Sequence, residues 1–170
     1  MGQGERARAA GARAERATAR LLDMLTEDGY VVFHSLSVAR GRADIDHLLV
    51  GSRGIVVLDS KCWRPAWYVT AFGRAWRTGG PVWRFVPGES QSLALSVERL
   101  RRAGLPVAGA VVATSPSAAG RVHARLLRYA GARAVLPARR AVRRAARMAG
   151  RGGADLAVVA AVDSWMEANQ

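Results

Sequence analysis

Three ionisable side chains, those of Asp46, Asp59 and Lys61, lie within two neighbouring apolar runs in the first half of the sequence. The runs, residues 43–50 and 54–62, are rich in β-branched residues and are separated by Gly-Ser-Arg-Gly. This pattern predicts two strands joined by a hairpin turn. Acids and an amine on adjacent strands can hold a divalent cation and act on a phosphate group.

The hairpin also predicts how these side chains face one another. If the four residues Gly-Ser-Arg-Gly form the loop, Asp46 lies directly opposite Asp59, and Asp44 faces Lys61. Because side chains alternate between the two faces of a strand, all four share one sheet face with apolar residues such as Val57. One end of that face is therefore apolar and the other end ionic.

Two carboxylates directly opposed on a sheet repel each other unless a cation lies between them or one is protonated. A bound Mg²⁺ removes the conflict, since magnesium prefers one or two carboxylates together with waters and phosphate oxygens. We therefore predict a metal site at Asp46 and Asp59, with Mg²⁺ as the cofactor and Mn²⁺ as a substitute. Lys61 would then orient or deprotonate the attacking water, or stabilise the charge on the phosphate.

The basic residues are almost all of one type, since 25 of the 26 are Arg and Lys61 is the single Lys. Arg carries a planar, permanently charged guanidinium, whereas Lys is a compact point charge that can approach a phosphate or a metal-bound water closely. The use of an amine at this one position favours a chemical role for Lys61.

The first element that the sequence predicts is a helix over residues 3–28, which Gly29 ends. Glu15 lies on the inward stripe of that helix, together with Leu22 and Leu25. A buried acid needs a partner. Glu15 can find one either in a metal site at the nearby sheet edge or in an Arg side chain.

The remaining apolar runs and turns predict an α/β domain. Strands are expected at residues 30–38 and 107–113, a short strand at 134–136, and partly exposed β-structure at 67–72, 75–77 and 81–86. Helices are expected over residues 89–103, 122–129, 138–149 and 154–167. The run 107–113 is typical of a strand buried on both faces, which implies helices on both sides of a sheet. We expect residues 1–170 to form a single domain.

Four motifs resemble those of the nuclease-related domain (NERD) family, a branch of the PD-(D/E)XK nuclease superfamily. Gly-Ala-Arg-Ala-Glu15 is similar to the family's first-helix motif, and Ile-Asp46-His-Leu-Leu-Val is similar to its Ile-Asp-His strand. The run that ends at Lys61 is similar to the acid-x-Lys strand, and Gln91 is similar to a helix-borne Gln of the family. The resemblance covers residues 11–116.

The resemblance implies a restriction-endonuclease-like α/β/α core, in which helices flank a central mixed sheet, and metal-dependent hydrolysis of phosphodiester bonds. It also implies five catalytic residues: Asp46, Asp59, Lys61, Glu15 and Gln91. Two positions depart from the family pattern. Ala14 stands where the family often has Gly, and Asp59, whose carboxylate is one methylene shorter, stands where Glu is commoner.

The helix predicted over residues 138–149 has a continuous basic face of five residues: Arg139, Arg140, Arg143, Arg144 and Arg147. Such a face suits the phosphate backbone of a nucleic acid, although a solvated surface helix gives the same pattern. Four Trp residues are interleaved with Arg after the hairpin: Trp63, Trp67, Trp76 and Trp83. We expect them chiefly to cover the sheet, with one or two exposed and free to stack on bases.

The net charge of +13 favours a polyanionic partner, and among polyanions we expect a nucleic acid, DNA before RNA, rather than a membrane. One cysteine and an Arg/Ala-rich start without a signal-peptide core indicate a cytoplasmic location. No run reaches the roughly 20 apolar residues that cross a bilayer. The oligomeric state stays open, with a homodimer among the options.

Three functional hypotheses follow from these residues. The first is a Mg²⁺-dependent deoxyribonuclease, and the second is a basic module on the same fold that binds nucleic acid without cleaving it. The third is a protein associated with structured RNA. Magnesium binding and cleavage distinguish the first hypothesis from the second, and a preference for RNA over DNA distinguishes the third.

Overall fold

The structure, a computed structural model, describes residues 2–36 and 45–169. The helices are α1 (Gln3–Asp23), α2 (Ser92–Arg102), α3 (Ala138–Ala149) and α4 (Leu156–Asn169). The strands are β1 (Val31–Leu36), β2 (Ile45–Gly51), β3 (Gly54–Trp63), β4 (Ala66–Ala71), β5 (Arg74–Thr78), β6 (Trp83–Arg84), β7 (Val107–Pro116), β8 (Val122–Leu126) and β9 (Val135–Pro137). Short 3₁₀ turns follow α1 at Met24–Asp28 and precede α2 at Val86–Glu89.

The main sheet has the strand order β1-β2-β3-β7-β9. The first three predicted strands form an antiparallel meander of β1, β2 and β3. Strand β7 then adds in parallel to β3, and β9 adds in parallel to β7. A parallel strand needs a crossover connection. The long segment between β3 and β7, which contains α2, supplies it and makes the sheet mixed.

Helices cover both faces of the main sheet. We call the face that carries Leu48 and Val57 the front face, and the face that carries Leu49 and Leu58 the back face. The back face packs against α1 and α3. The front face packs against apolar residues of α2, of α4 and of a second sheet. Alternation along each strand therefore divides the core into two clusters on opposite sides of one sheet.

The second sheet has the strand order β6-β5-β4-β8 and was predicted only as scattered β-structure. Its inner side packs on the front face through aromatic contacts, with the rings of Tyr68 and Phe85 each close to that of Trp63 at centroid distances of 5.0 Å. Its outer side faces away from the main sheet. The cluster around Trp63 thus joins the two sheets at the end of β3, the strand that carries Lys61.

The register predicted for the β2–β3 hairpin is confirmed over four pairs, from Val50 with Ile55 to His47 with Leu58. The loop is shorter than predicted, because Gly51 pairs with Gly54 and only two residues form the turn. Because the observed loop is shorter by one residue on each side, the register of the other pairs is the same as predicted. Gly54 has φ of +112°, and a Cβ there would lie 2.2 Å from the carbonyl oxygen of Pro106, so glycine is required.

The helix predicted over residues 122–129 is wrong. Residues Val122–Leu126 form β8, which pairs in parallel with β4. Val122 and Ala124 are buried, whereas Arg125 and Leu126 are exposed. The β4–β8 register shifts after His123, which breaks the strict alternation of buried and exposed residues in β8. The resulting pattern of burial resembles that of an amphipathic helix. Pairing with a distant strand, rather than local propensity, decides the structure here.

Two helices are shorter than predicted at one end. The first helix gives way at Met24 to a 3₁₀ turn, which Gly29 ends in the left-handed conformation with φ of +83°. The helix predicted from residue 89 begins at Ser92, because the segment before it forms a 3₁₀ turn that contains Pro87. The predicted strands extend to residues 37–38 and begin at residues 43–44, and these positions lie outside the described residues. The predicted pairing of Asp44 with Lys61 therefore also lies outside them.

The architecture is α/β, with a mixed sheet flanked by helices, consistent with a restriction-endonuclease-like core. Strand β7 is buried over Gly109–Ala113 on both faces, as its apolar run predicted. Across residues 2–36 and 45–169, no helix is long and apolar enough to cross a membrane.

Candidate active site

Asp59 and Lys61 form an ion pair on the front face of β3. They lie two residues apart on one strand, so their side chains project to the same side. The Nζ of Lys61 lies 2.5 Å from Oδ1 of Asp59. Burial lowers the pKa of Lys61, but the charge of Asp59 and the hydrogen bond to it outweigh that effect, so the pKa is raised. Lys61 is therefore an ammonium ion held against a carboxylate that is only 9% exposed.

Asp46 lies one residue beyond the last pair of the β2–β3 ladder, and the same register brings it opposite Asp59. Its Oδ2 accepts a hydrogen bond of 2.6 Å from the backbone N–H of Ser60. Burial raises the pKa of Asp46 from 3.8 to about 7. The Ser60 bond and Lys61 oppose that shift, while the charges of Asp59 and Glu15 add to it. Without a cation, Asp46 thus resists ionisation near neutral pH.

Three buried polar atoms near this pair make no hydrogen bond with any described residue: Asp59 Oδ2, Thr114 Oγ1 and Tyr129 OH. Thr114 pairs with Lys61 across the parallel β3–β7 ladder and shares the front face with it. Tyr129 packs beside Trp63 on the same side. Buried polar groups that lack a partner in the protein usually bind a water, an ion or a ligand.

The donor set fits a hard divalent cation. Asp46 and Asp59 offer carboxylate oxygens, and one oxygen of Asp59 is buried and accepts no hydrogen bond from the described part of the chain. Magnesium is commonly held by one or two carboxylates, with water and phosphate oxygens completing its shell. In residues 2–36 and 45–169 no group of three His, Cys, Asp or Glu side chains converges.

Tyr129 is a residue of this site that the sequence did not reveal. Its position falls in a segment predicted as helix, and no motif marks it. The hydroxyls of Ser90 and Ser92 lie close enough to lower its pKa, yet they bond each other at 3.0 Å. Burial and the charge of Asp59 outweigh them and raise the pKa of Tyr129. The phenol is therefore a neutral donor next to the carboxylate.

The back face behind the site holds a chain of four polar side chains: Asp23, His34, His47 and Ser60. Asp23 Oδ1 lies 2.9 Å from His34 Nε2, and the Nδ1 atoms of the two His rings lie 2.8 Å apart. His47 Nε2 lies 3.1 Å from the Ser60 hydroxyl. Because side chains alternate along β2, His47 projects to the opposite face of the sheet from Asp46. Burial and then His34 lower the pKa of His47 to about 4, so this ring is neutral and serves to position β3.

Glu15 lies on α1 at the edge of the site. It is half-buried rather than fully inward, because Ala14 and Thr18 occupy the buried stripe of the helix. Its Oε1 accepts a hydrogen bond of 2.8 Å from the hydroxyl of Ser35, whose φ of +50° is unusual for a residue other than glycine. Glu15 is close enough to Asp46 for its charge to raise the pKa of that carboxylate.

Gln91 is exposed and immediately precedes α2. No hydrogen bond joins it to Asp59 or Lys61 among the described residues. It does line a cavity of about 790 Å³ together with Tyr129, Phe72 and Arg128. The structure therefore brings Gln91 to the cavity beside the ion pair and not to the ion pair itself.

The five arginines of α3 are all exposed, while Ala141, Val142 and Ala145 face the sheet. They lie behind the back face, whereas the carboxylates of Asp46 and Asp59 belong to the front. The two features are thus separated by the main sheet. A cavity of about 620 Å³ on the α3 side is lined by four Arg residues: Arg140, Arg143, Arg147 and Arg151.

Comparison with known proteins identifies one family. The sequence model described as nuclease-related domain matches residues 10–113. The matched region includes Glu15, Asp46, Asp59, Lys61 and Gln91, and it ends before Tyr129 and α3. Searches of curated proteins and of solved structures find no match.

Proposed function

Since the chain belongs to the nuclease-related domain family, we propose that it is a metal-dependent nuclease of the PD-(D/E)XK type that hydrolyses phosphodiester bonds in DNA. The observation that carries the proposal is the Asp59–Lys61 pair. One oxygen of Asp59 binds Nζ at 2.5 Å, while the other is buried and accepts no hydrogen bond from the described residues. That second oxygen, with the carboxylate of Asp46, is suited to a divalent cation.

The cation would be Mg²⁺, with Mn²⁺ as a substitute, held by Asp46 and Asp59. When bound, such an ion supplies Lewis-acid stabilisation and makes water a better nucleophile at neutral pH. The chain's own groups do the positioning. The Ser60 amide fixes one oxygen of Asp46 at 2.6 Å, and the ladder to β7 fixes β3.

Lys61 is suited to the phosphate rather than to proton abstraction. Its pKa is raised by the neighbouring carboxylate, after the opposing effect of burial, so it is a cation and not a base at neutral pH. A fixed ammonium group aimed at a phosphate stabilises the negative charge that grows in the transition state. Glu15, half-buried at the site edge, and Gln91, at the cavity, would assist in orienting water and substrate.

The experiment is cleavage of supercoiled plasmid and labelled single-stranded DNA by purified protein with Mg²⁺, Mn²⁺ or chelator. We expect cutting only with a divalent cation, and its loss in Asp59→Ala and Lys61→Ala. Asp163→Ala, which removes an exposed acid on α4, is the matched control and should cut normally. Full activity in either site variant, with the fold verified by circular dichroism, would remove the assignment.

A non-cleaving module that binds nucleic acid is the second candidate, and the same ion pair favours it. Lys61 already neutralises one oxygen of Asp59, and the shorter Asp in place of Glu sets the carboxylate back toward the strand. Calorimetry distinguishes the two candidates. A binding module should take up DNA with steep salt dependence, show no heat of magnesium binding, and respond identically with and without chelator.

A further inference from the structure

The outer side of the second sheet presents an exposed aromatic and apolar surface. We call it the outer platform and define it by Trp67, Val69, Trp76, His123 and Leu126. Strand pairing aligns these residues on one side, with Val69 opposite Trp76 and Trp67 beside His123. Trp67 is 56% exposed and Leu126 is 70% exposed. Exposed apolar patches of this kind commonly mark a binding surface.

Two rings of the outer platform are already stacked. The rings of Trp67 and His123 lie 4.3 Å apart at an interplanar angle of 14°. A third ring is also fixed, since Trp76 donates its indole N–H to the carbonyl of Ala71 at 3.1 Å. Flat rings that are held in place and open to solvent on one face suit a flat ligand at low entropic cost.

The charges around the outer platform select the ligand. Within the described part of the chain, the four strands of the second sheet contain four arginines and no acidic residue: Arg74, Arg77, Arg84 and Arg125. Arg77 pairs with Tyr68 and lies with it on the inner side, and Arg84 forms an ion pair with Glu89 at 2.8 Å. Arg74 and Arg125 are exposed, and neither forms an ion pair within the described residues. A surface of stacked rings bordered by unopposed guanidinium groups matches a ligand of flat bases joined by phosphates. Duplex bases are not open to such stacking, whereas single-stranded bases are.

We propose that the outer platform binds single-stranded nucleic acid by stacking bases on Trp67 and His123, with phosphates along Arg74 and Arg125. The surface continues toward the candidate active site. Phe72, which is 99% exposed at the tip of the β4–β5 hairpin, and Arg128 line the same cavity as Tyr129. We therefore expect a nucleic-acid strand on the outer platform to run past the hairpin tip toward the cavity that Tyr129 lines. This inference deepens the proposed function, because it names the form of the substrate.

The test is fluorescence anisotropy with a labelled oligothymidylate and with a duplex of equal length, in chelator so that no cleavage occurs. Trp67→Ala should weaken single-strand binding by roughly 5- to 150-fold, which corresponds to the loss of one stacked base, and should leave duplex binding within about twofold. Trp67→Phe should retain most of the affinity. Quenching of tryptophan fluorescence by the oligonucleotide should shrink in Trp67→Phe, because the stacked indole has been replaced.

Trp83→Ala is the matched control. Trp83 is 58% exposed, almost as much as Trp67, but strand alternation places it on the other side of the sheet from Arg84 and Trp76. It should therefore bind the single strand like the wild type. Equal loss in the two variants, or no loss in Trp67→Ala, would overturn the proposal. Self-association that Trp67→Ala abolishes without altering oligonucleotide affinity would also overturn it and assign the surface to a second copy of the chain.

These experiments distinguish failure of the nuclease proposal from failure of the outer-platform proposal. If the protein never cleaves but loses single-strand affinity in Trp67→Ala, the nuclease proposal is wrong and the outer platform stands. If cleavage depends on metal and Lys61 while Trp67→Ala binds and cuts single strands like the wild type, the nuclease stands and the outer platform does not.

Discussion

The ammonium group of Lys61 lies 2.5 Å from one oxygen of Asp59, while the other oxygen of that carboxylate is buried and accepts no hydrogen bond from the residues described. The two oxygens thus have different surroundings on a strand that is fixed on both sides by its neighbours. One is neutralised by the chain itself, and the other is left for a ligand. This asymmetry divides the two tasks of the site, orientation and ligand binding, between the atoms of a single side chain.

Lys61→Arg should retain the positive charge and still lose cleavage. A guanidinium is larger and planar and does not fit the position of a compact ammonium beside a 9% exposed carboxylate. We expect the rate to fall about 100-fold or more, the usual effect of removing one group that stabilises transition-state charge. Single-turnover plasmid cleavage measures it. Equal cleavage rates for the wild type and Lys61→Arg would show that only the positive charge is needed at this position.

Asp46→Asn should stabilise the metal-free protein at pH 8 and have little effect at pH 4. Burial raises the pKa of Asp46 in the folded chain to about 7, above 3.8 in the unfolded chain. The folded chain therefore binds the proton more tightly. The resulting stabilisation is fully present below pH 3.8 and is lost as the pH rises through 7. Asn removes that loss and can still accept the Ser60 hydrogen bond.

Thermal unfolding in chelator, followed by circular dichroism across pH 4 to 8, checks this prediction. Each kcal/mol should appear as about 2–4 °C in Tm for a chain of this size. Asp163→Asn, at an exposed position of α4, is the control and should show no difference between the two pH values. A stabilisation that is the same at both ends of the range would mean that Asp46 is ionised throughout.

Tyr129→Phe separates a role in the site from a role in packing. The hydroxyl is buried without a hydrogen bond from the described residues, so its removal should leave stability unchanged or slightly raised. The ring packing against Trp63 is preserved. We expect cleavage to fall by about 10-fold, as for the loss of one hydrogen-bond donor to substrate or bound water. Unchanged cleavage kinetics would make Tyr129 a packing residue only.

His47→Leu should destabilise the fold. The His47 ring is fully buried and bridges His34 and Ser60 at 2.8 Å and 3.1 Å. Leu has a similar size but leaves the buried Ser60 hydroxyl without this partner, at a cost of about 1–3 kcal/mol, while His34 keeps its bond to Asp23. Urea unfolding measures the free energy. Arg102→Ala breaks only an exposed ion pair with Glu98 and should cost less than about 1 kcal/mol, so a similar small loss in His47→Leu would contradict the prediction.

The β2–β3 hairpin could be predicted from sequence because its determinants are local. The turn glycines and the period of two fix which residues face each other, and shortening the loop at both ends changed nothing beyond the turn. The same locality explains why the single lysine could be placed beside Asp59. Both side chains lie on one strand, two residues apart, and no distant contact was needed to bring them together.

Distant pairings could not be predicted in the same way. The parallel ladders of β3 with β7 and of β4 with β8 join residues about 50 positions apart, and loops of that length leave no local pattern. Tyr129 follows the strand that forms the second of these ladders, and the segment that contains both was predicted as helix. The position of α3 behind the back face is also a product of packing, and the periodicity of its arginines gave no indication of it.

The single lysine gives this protein a chemical reporter at its centre. Lysine-selective acylating reagents require a neutral amine, and here the only lysine has its pKa raised by the adjoining carboxylate, against the effect of burial. Its labelling rate, read by mass spectrometry against that of the terminal amine, therefore follows the opening of the Asp59 pair. Any ion or substrate that competes for Asp59 will change the labelling rate. Occupancy of the site can thus be followed without an assay of turnover.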